Sequence, residues 1–235
     1  MVRRVTELIR SLLFALIFYP GTLLFVLAGL AASAFGTAPT RRVVYGWADF
    51  HRALSRQLLG IQLQVEGAVP SRPCLIAVKH QSMYETIAMV RLAHTPVIVL
   101  KRELSQLPLF GWMTRRYGVI PVDREAGPKA LREMIALAKH AAAAERQIII
   151  YPEGTRVPPG HTPPLRPGFA GLYRALGLPV VPVAVDSGRV WSRGFIKHSG
   201  TVRLLIGKLI PPGLKREDIE REVHTAINAL ERSGA

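Results

Sequence analysis

The chain has 235 residues, enough for one α/β domain with a real core plus an appendage. Hydrophobic residues make up 49% of it and the formal net charge is +15, from 31 Lys and Arg against 16 Asp and Glu, which argues against a disordered chain and for polyanionic partners. Cys74 is the only cysteine, which excludes an intramolecular disulfide and a cysteine-based zinc site and fits a reducing compartment.

In chain order, Ser11 to Phe35 come first, 25 residues without a charged side chain and long enough to cross a bilayer as a helix. The small residues of AASAFG resemble a signal-peptide cleavage site, yet the apolar run is longer than a signal core. Pro20-Gly21 interrupts the run. Proline removes a backbone donor and glycine relaxes a helix, so the pair predicts two short helices, about 11–19 and 22–34. Arg3, Arg4 and Arg10 lie before the run, and Arg41, Arg42, Arg52 and Arg56 after it. Positive flanks favour the cytoplasmic side, and both flanks are positive. The expectation is a monotopic two-helix membrane anchor over residues 1–40 with the active face cytoplasmic; a kinked single span is the alternative. Residues 41–235 then form the second unit.

Residues 40–60 read as an amphipathic connecting helix. From residue 61 onward come short runs rich in Val and Ile: IQLQV, CLIAV, PVIVL, GVIPV, QIIIY, VVPVAV and VRLLI. Several are apolar without alternation, as in strands buried on both faces. Helix-like segments separate them at 84–94, 105–117, 127–145, 168–176 and 215–232. The fold class expected is α/β, a single domain with a largely parallel or mixed sheet of about seven strands flanked by helices. The segment RVPPGHTPPLRPG, with five prolines, is an exposed loop.

The charge is unevenly spread. Between Arg156 and Arg216 stand ten Lys or Arg and a single acid, Asp186. No zinc-finger spacing, aromatic RNA-binding signature or basic reading helix accompanies them, so nucleic acid is not the expected partner. Beside an apolar anchor, an anionic lipid surface is, at roughly 1 kcal/mol per basic residue near the headgroups.

The proton chemistry gathers in KHQSMYET, residues 79–86. His80 follows a strand and precedes a helix, a place where side chains face clefts. On a regular helix His80 and Glu85 would stand roughly 140° apart, so they pair only if the chain turns between them. Glu85 would then hold one ring nitrogen and leave the other free as a base, which is a triad without its nucleophile. The alternative is a plain structural hydrogen bond. No G-x-S-x-G elbow surrounds Ser82. Further on, Glu153-Gly154-Thr155-Arg156 offers close backbone approach, a hydroxyl and a forked cation suited to phosphate; alone it is an ordinary turn with a surface arginine.

Taken together, four ordered blocks resemble the 1-acylglycerol-3-phosphate acyltransferase family: His80…Glu85, then Lys101-Arg102-Glu103-Leu104…Gly118-Val119-Ile120-Pro121-Val122-Asp123-Arg124, then Glu153-Gly154-Thr155-Arg156, then Val181-Pro182-Val183-Ala184. The resemblance covers roughly residues 60 to 210. One position departs: the acid after the histidine is Glu85, where the family has Asp.

The resemblance implies that His80 deprotonates the acceptor hydroxyl while Glu85 fixes the ring, and that the oxygen attacks an acyl thioester directly. It implies Arg124 and Arg156 on the acceptor's phosphate, Gly154 and Thr155 shaping that pocket, and Lys101 supporting the phosphate or the oxyanion. Glu153 braces the loop through a neighbouring cation. The implied partners are membrane lipids, lysophosphatidic acid, and an acyl-CoA or acyl carrier protein thioester as co-substrate, with no cofactor. No H-E-x-x-H or other short ligand spacing calls for a metal. A different lysolipid acceptor such as lyso-ornithine lipid, a catalytically inactive lipid-surface protein, and an exported hydrolase are the competing readings.

Overall fold

The computed structural model describes residues 2–123 and 127–232. Its first element overturns the split anchor: α1 (Val2–Ser33) is one 32-residue helix running straight through Pro20. The chain reverses at 34–36, where Gly36 has φ 107°, and returns as α2 (Thr37–Gln57). A proline inside a helix costs about 3 kcal/mol through its lost bond and ring clash. Here Pro20 is exposed, and Phe14, Phe18 and Val26 are buried on the other side, where α1 packs on α2. That packing holds the helix together. Gly21 is a packing glycine rather than a breaker, because a Cβ there would sit 2.6 Å from the Phe50 ring of α2. The 40/41 boundary therefore falls inside α2, which packs on α1 and on the rest of the fold alike.

The rest of α1 is greasy and open. Its most apolar 18-residue window has a mean hydropathy of 2.2 and is only 22% buried. Leu16 is 62% exposed and Leu24 67%, and exposed Leu107, Leu109 and Trp112 lie on and just before α4 (Phe110–Tyr117), which also packs against α1.

Seven strands follow the expected runs: β1 (Ile61–Glu66), β2 (Leu75–Val78), β3 (Val97–Lys101), β4 (Ile120–Val122), β5 (Ile148–Ile150), β6 (Val180–Val185) and β7 (Gly200–Ile206). They form one sheet in the order β1-β7-β6-β2-β5-β3-β4, parallel except for the β6–β7 pair. Leu75 to Val78, Ile148 and Ile149 are sealed, because α3 (Tyr84–Leu92) and the α1–α2 hairpin lie on one side of the sheet and α5 (Gly127–Ala143), α6 (Pro167–Leu176) and α7 (Arg216–Ile227) on the other. The α8 turn (Ala229–Arg232) ends the described chain. This is the expected α/β architecture. In such sheets the functional crevice lies beyond the carboxyl ends of the central strands, here β5, β2 and β6.

The hairpin docks through an aromatic box. His51 of α2 is buried among Phe14, Phe18, Tyr84 and Trp191, with ring centroids 5.1 to 6.1 Å away, and its Nε2 has no partner among the described residues. Burial pushes its pKa from 6.5 down to about 3. The folded value lies below the unfolded one, so this contribution is intact above pH 6.5 and is lost as pH falls, by at most about 1.4 kcal/mol per pH unit. Between pH 6.5 and 5, stability is expected to drop by roughly 2 kcal/mol. His51→Phe should remove that slope in denaturant titrations; an unchanged slope would refute the assignment.

Candidate active site

Lys79 and His80 directly follow β2, and the chain turns through 80–83 before α3 begins at Tyr84. The turn puts the Glu85 carboxylate, in the first turn of α3, beneath the imidazole: His80 Nδ1 lies 2.8 Å from Glu85 Oε1. The same oxygen accepts the backbone N–H groups of Gln81 and Ser82, both at 2.8 Å. The other oxygen accepts the hydroxyls of Ser82 at 2.7 Å and Ser187 at 2.6 Å. Burial raises the Glu85 carboxyl, but the hydrogen bond and charge of His80 with the two serine hydroxyls outweigh it and leave the pKa below the ordinary carboxylate value. An ionised carboxylate only accepts, so Nδ1 carries the proton and Nε2 presents its lone pair. Nε2 has no hydrogen-bond partner among the described residues, and the His80 side chain is 13% exposed. Glutamate's extra methylene is accommodated by this five-donor cradle.

The second block arrives from the neighbouring strand. After β5, the Tyr151 ring lies against the imidazole, tilted by 33° at a centroid distance of 4.2 Å. Glu153 is buried: Oε1 takes a hydrogen bond from Lys79 Nζ at 2.7 Å and Oε2 one from the His80 backbone N–H at 3.0 Å. Lys79 is fully enclosed and spends its other two protons on the His161 carbonyl and Asn228 Oδ1, each at 2.7 Å. Gly154 needs its φ of +72°, and a Cβ there would strike Arg166 at 2.9 Å. Thr155 and Arg156 are exposed, and the next amide, Val157 N–H, donates to the His80 carbonyl at 2.6 Å. Thus β5, β2 and β6 deliver Glu153, His80 and Ser187 to one place.

One candidate residue stands elsewhere, and another falls outside the described residues. Lys101, at the end of β3, is exposed and paired with Glu103 at 2.8 Å. Two strand positions separate β3 from β2, about 10 Å along the sheet. Arg124 lies outside the described residues. Sequence reasoning missed Lys79, Ser187 and Asn228 as supports. Only Lys79 carried a local signal, a charged residue closing an all-apolar strand.

A cavity of about 270 Å³ adjoins this turn. Its lining includes Gln81, Ser82 and Met83 of the turn, Arg156, Trp191 and Lys197 from the segments after β5 and β6, and Phe14 and Tyr19 of α1. The arrangement offers an oriented base, an anion-attracting rim and an apolar wall. It provides for proton abstraction from an amphiphilic, anionic acceptor.

An acyltransferase family model matches residues 61–186. A 1-acyl-sn-glycerol-3-phosphate acyltransferase from Pseudomonas aeruginosa is 34% identical over 209 residues, covering 86% of this chain and 80% of that protein. The beta form from Homo sapiens is 30% identical over 164 residues, 68% of this chain and 59% of that protein. The crystal structure of the LPA acyltransferase PlsC from Thermotoga maritima aligns with a TM-score of 0.78 at 21% identity, covering 99% of this chain and 98% of that one, a likeness of fold. The motif order and these relatives lead to one assignment: the chain is an acyltransferase and belongs to the 1-acyl-sn-glycerol-3-phosphate acyltransferase family.

Proposed function

We propose that this enzyme transfers an acyl group from a thioester of coenzyme A or acyl carrier protein to the sn-2 hydroxyl of lysophosphatidic acid, giving phosphatidic acid. The observation that carries this reading is the Glu85-bound imidazole with its open Nε2, next to a turn that lines a cavity together with cationic and apolar side chains. The acceptor hydroxyl gives its proton to Nε2 as its oxygen attacks the thioester carbonyl. A C–O bond forms, the C–S bond breaks on collapse, and the imidazolium returns the proton to the departing sulfur. Glu85 steadies the imidazolium meanwhile. A thioester is already activated, so a base worth about 10²–10⁴ in rate, together with positioning, suffices.

The outer face of α1 is consistent with a place for the acceptor to come from. Eleven large apolar side chains between Val5 and Leu27 are at least 44% exposed, far more than water tolerates on one face. We read the α1–α2 hairpin as lying in one leaflet, monotopic, with the sheet on the cytoplasmic side.

Purified enzyme added to vesicles containing lysophosphatidic acid and an acyl thioester is expected to float with them and to form phosphatidic acid. Product from lyso-ornithine lipid alone would move the acceptor assignment. No product from either lysolipid would end it.

A further inference from the structure

The basic run after Arg156 is only partly explained by a lipid-facing surface. Two of its members, Arg193 and Lys197, lie on the segment between β6 and β7 and line the cavity together with Arg156. None of the three forms an ion pair among the described residues, and no carboxylate lines the cavity. Arg193 Nη2 donates to the Arg156 carbonyl, which holds the two segments together. Lys197 Nζ donates to the carbonyls of Ser192 at 2.8 Å and Gly194 at 2.6 Å and stands 5.3 Å from the centre of the Trp191 ring. Burial, and then the charge of Arg156, push the Lys197 pKa below its ordinary value. Three cations crowded without an anion are an unfavourable arrangement that a bound anion relieves.

The wall opposite is fixed rather than loose. The Lys197 backbone N–H donates to Ser11 Oγ of α1 at 2.9 Å, and His198 Nδ1 meets Glu7 of α1 at 3.0 Å. The segment carrying the two cations is thereby fastened to the apolar helix.

We propose that Arg193 and Lys197 complete, with Arg156, a three-cation seat that selects a phosphomonoester headgroup, the lysolipid chain lying against Phe14 and Tyr19 of α1. This rests on the acyl-acceptor reading above and names two headgroup-reading residues outside the four sequence blocks. A phosphate monoester carries nearly two negative charges at neutral pH and three acceptor oxygens; a phosphodiester carries one charge. A three-cation seat therefore distinguishes the two by charge. Gln81 to Met83, which follow His80 directly in the chain, line the same cavity as the three cations.

The test is steady-state kinetics of full-length Arg193→Gln and Arg193→Lys in phosphatidylcholine vesicles, with 1-oleoyl lysophosphatidic acid and 1-oleoyl lysophosphatidylglycerol as acceptors. Arg193→Gln should raise KM for lysophosphatidic acid about tenfold, as expected for one lost charge-assisted bond, while kcat stays within about twofold. The phosphodiester should be affected less, and Arg193→Lys should recover most of the loss. An unchanged KM, a fall confined to kcat, or an equal loss for both lipids overturns the proposal. A second measurement does not depend on turnover: in a His80→Ala background that also carries Trp47→Phe and Trp112→Phe, the remaining Trp191 emission is titrated with lysophosphatidic acid. A tenfold weaker half-saturation in Arg193→Gln supports the seat even where wild type forms no phosphatidic acid, in which case only the acceptor reading falls. Turnover without Arg193 dependence leaves that reading standing and removes the seat.

Discussion

His80→Ala is expected to lower acyl transfer about 10³-fold, within the 10²–10⁴ range of a positioned base, while leaving the fold intact. The imidazole is partly exposed and rests on Tyr151, so its loss opens no deep cavity. The smaller expected losses at Glu85 refine the point. Glu85→Gln can still accept the Nδ1 proton and face the serine hydroxyls, but it loses the charge that steadies the imidazolium, so a loss near 10²-fold is expected. Glu85→Asp restores the family's acid, yet the cradle of Gln81, Ser82 and Ser187 donors is placed for the longer side chain. Losing one of those charge-assisted bonds is worth roughly tenfold to a hundredfold. The measurement is phosphatidic acid formation at saturating acceptor. If His80→Ala kept a tenth of wild-type turnover, the base would have to be sought elsewhere.

How much of this was legible beforehand depended on range. The central strands β2, β5 and β6 were legible because strands sealed on both faces need uninterrupted apolar runs, and the other four were read from runs of strand length. The contact between His80 and Glu85 was legible too, since a turn over five residues is a local matter. The anchor was misread because Pro20-Gly21 is a breaker only when judged locally. Packing against α2 overrides that tendency, and Gly21 is there for Phe50. The 105–117 helix is in fact a 3-10 turn (Arg102–Gln106) followed by α4, divided at Pro108 and at Leu109 with φ 59°. The supports of the site were hidden by distance along the chain. Ser187 lies 102 residues from Glu85, Glu153 lies 74 from Lys79, and Asn228 lies 149 from Lys79. No spacing rule spans such intervals; the sheet order, with β5 and β6 flanking β2, brings Glu153 and Ser187 in, and the end of α7 brings Asn228.

Glu153→Ala is expected to cost about 3–5 kcal/mol of stability, because it strands the fully buried Lys79 ammonium. Against a typical total of about 5–15 kcal/mol, that places the variant near the edge of folding. Lys79→Met should cost a comparable amount, leaving a buried carboxylate and two carbonyl oxygens unpaired. Lys79→Met with Glu153→Gln removes both charges and keeps an acceptor for the His80 amide, so it should lose less than Lys79→Met and Glu153→Gln measured singly and summed. The expected coupling is about 1–3 kcal/mol, read from denaturant midpoints in one detergent. Additive losses, or a Glu153→Ala cost under about 1 kcal/mol, would rule out the ion pair as the keystone of the turn. Both carboxylate oxygens of Glu153 are spent on Lys79 and the His80 amide, which leaves it nothing to offer a substrate. The double variant should accordingly retain KM for the acceptor and lose chiefly kcat, through a less well fixed His80. That outcome would mean that the acid of this block acts on the reaction by holding the His80 backbone.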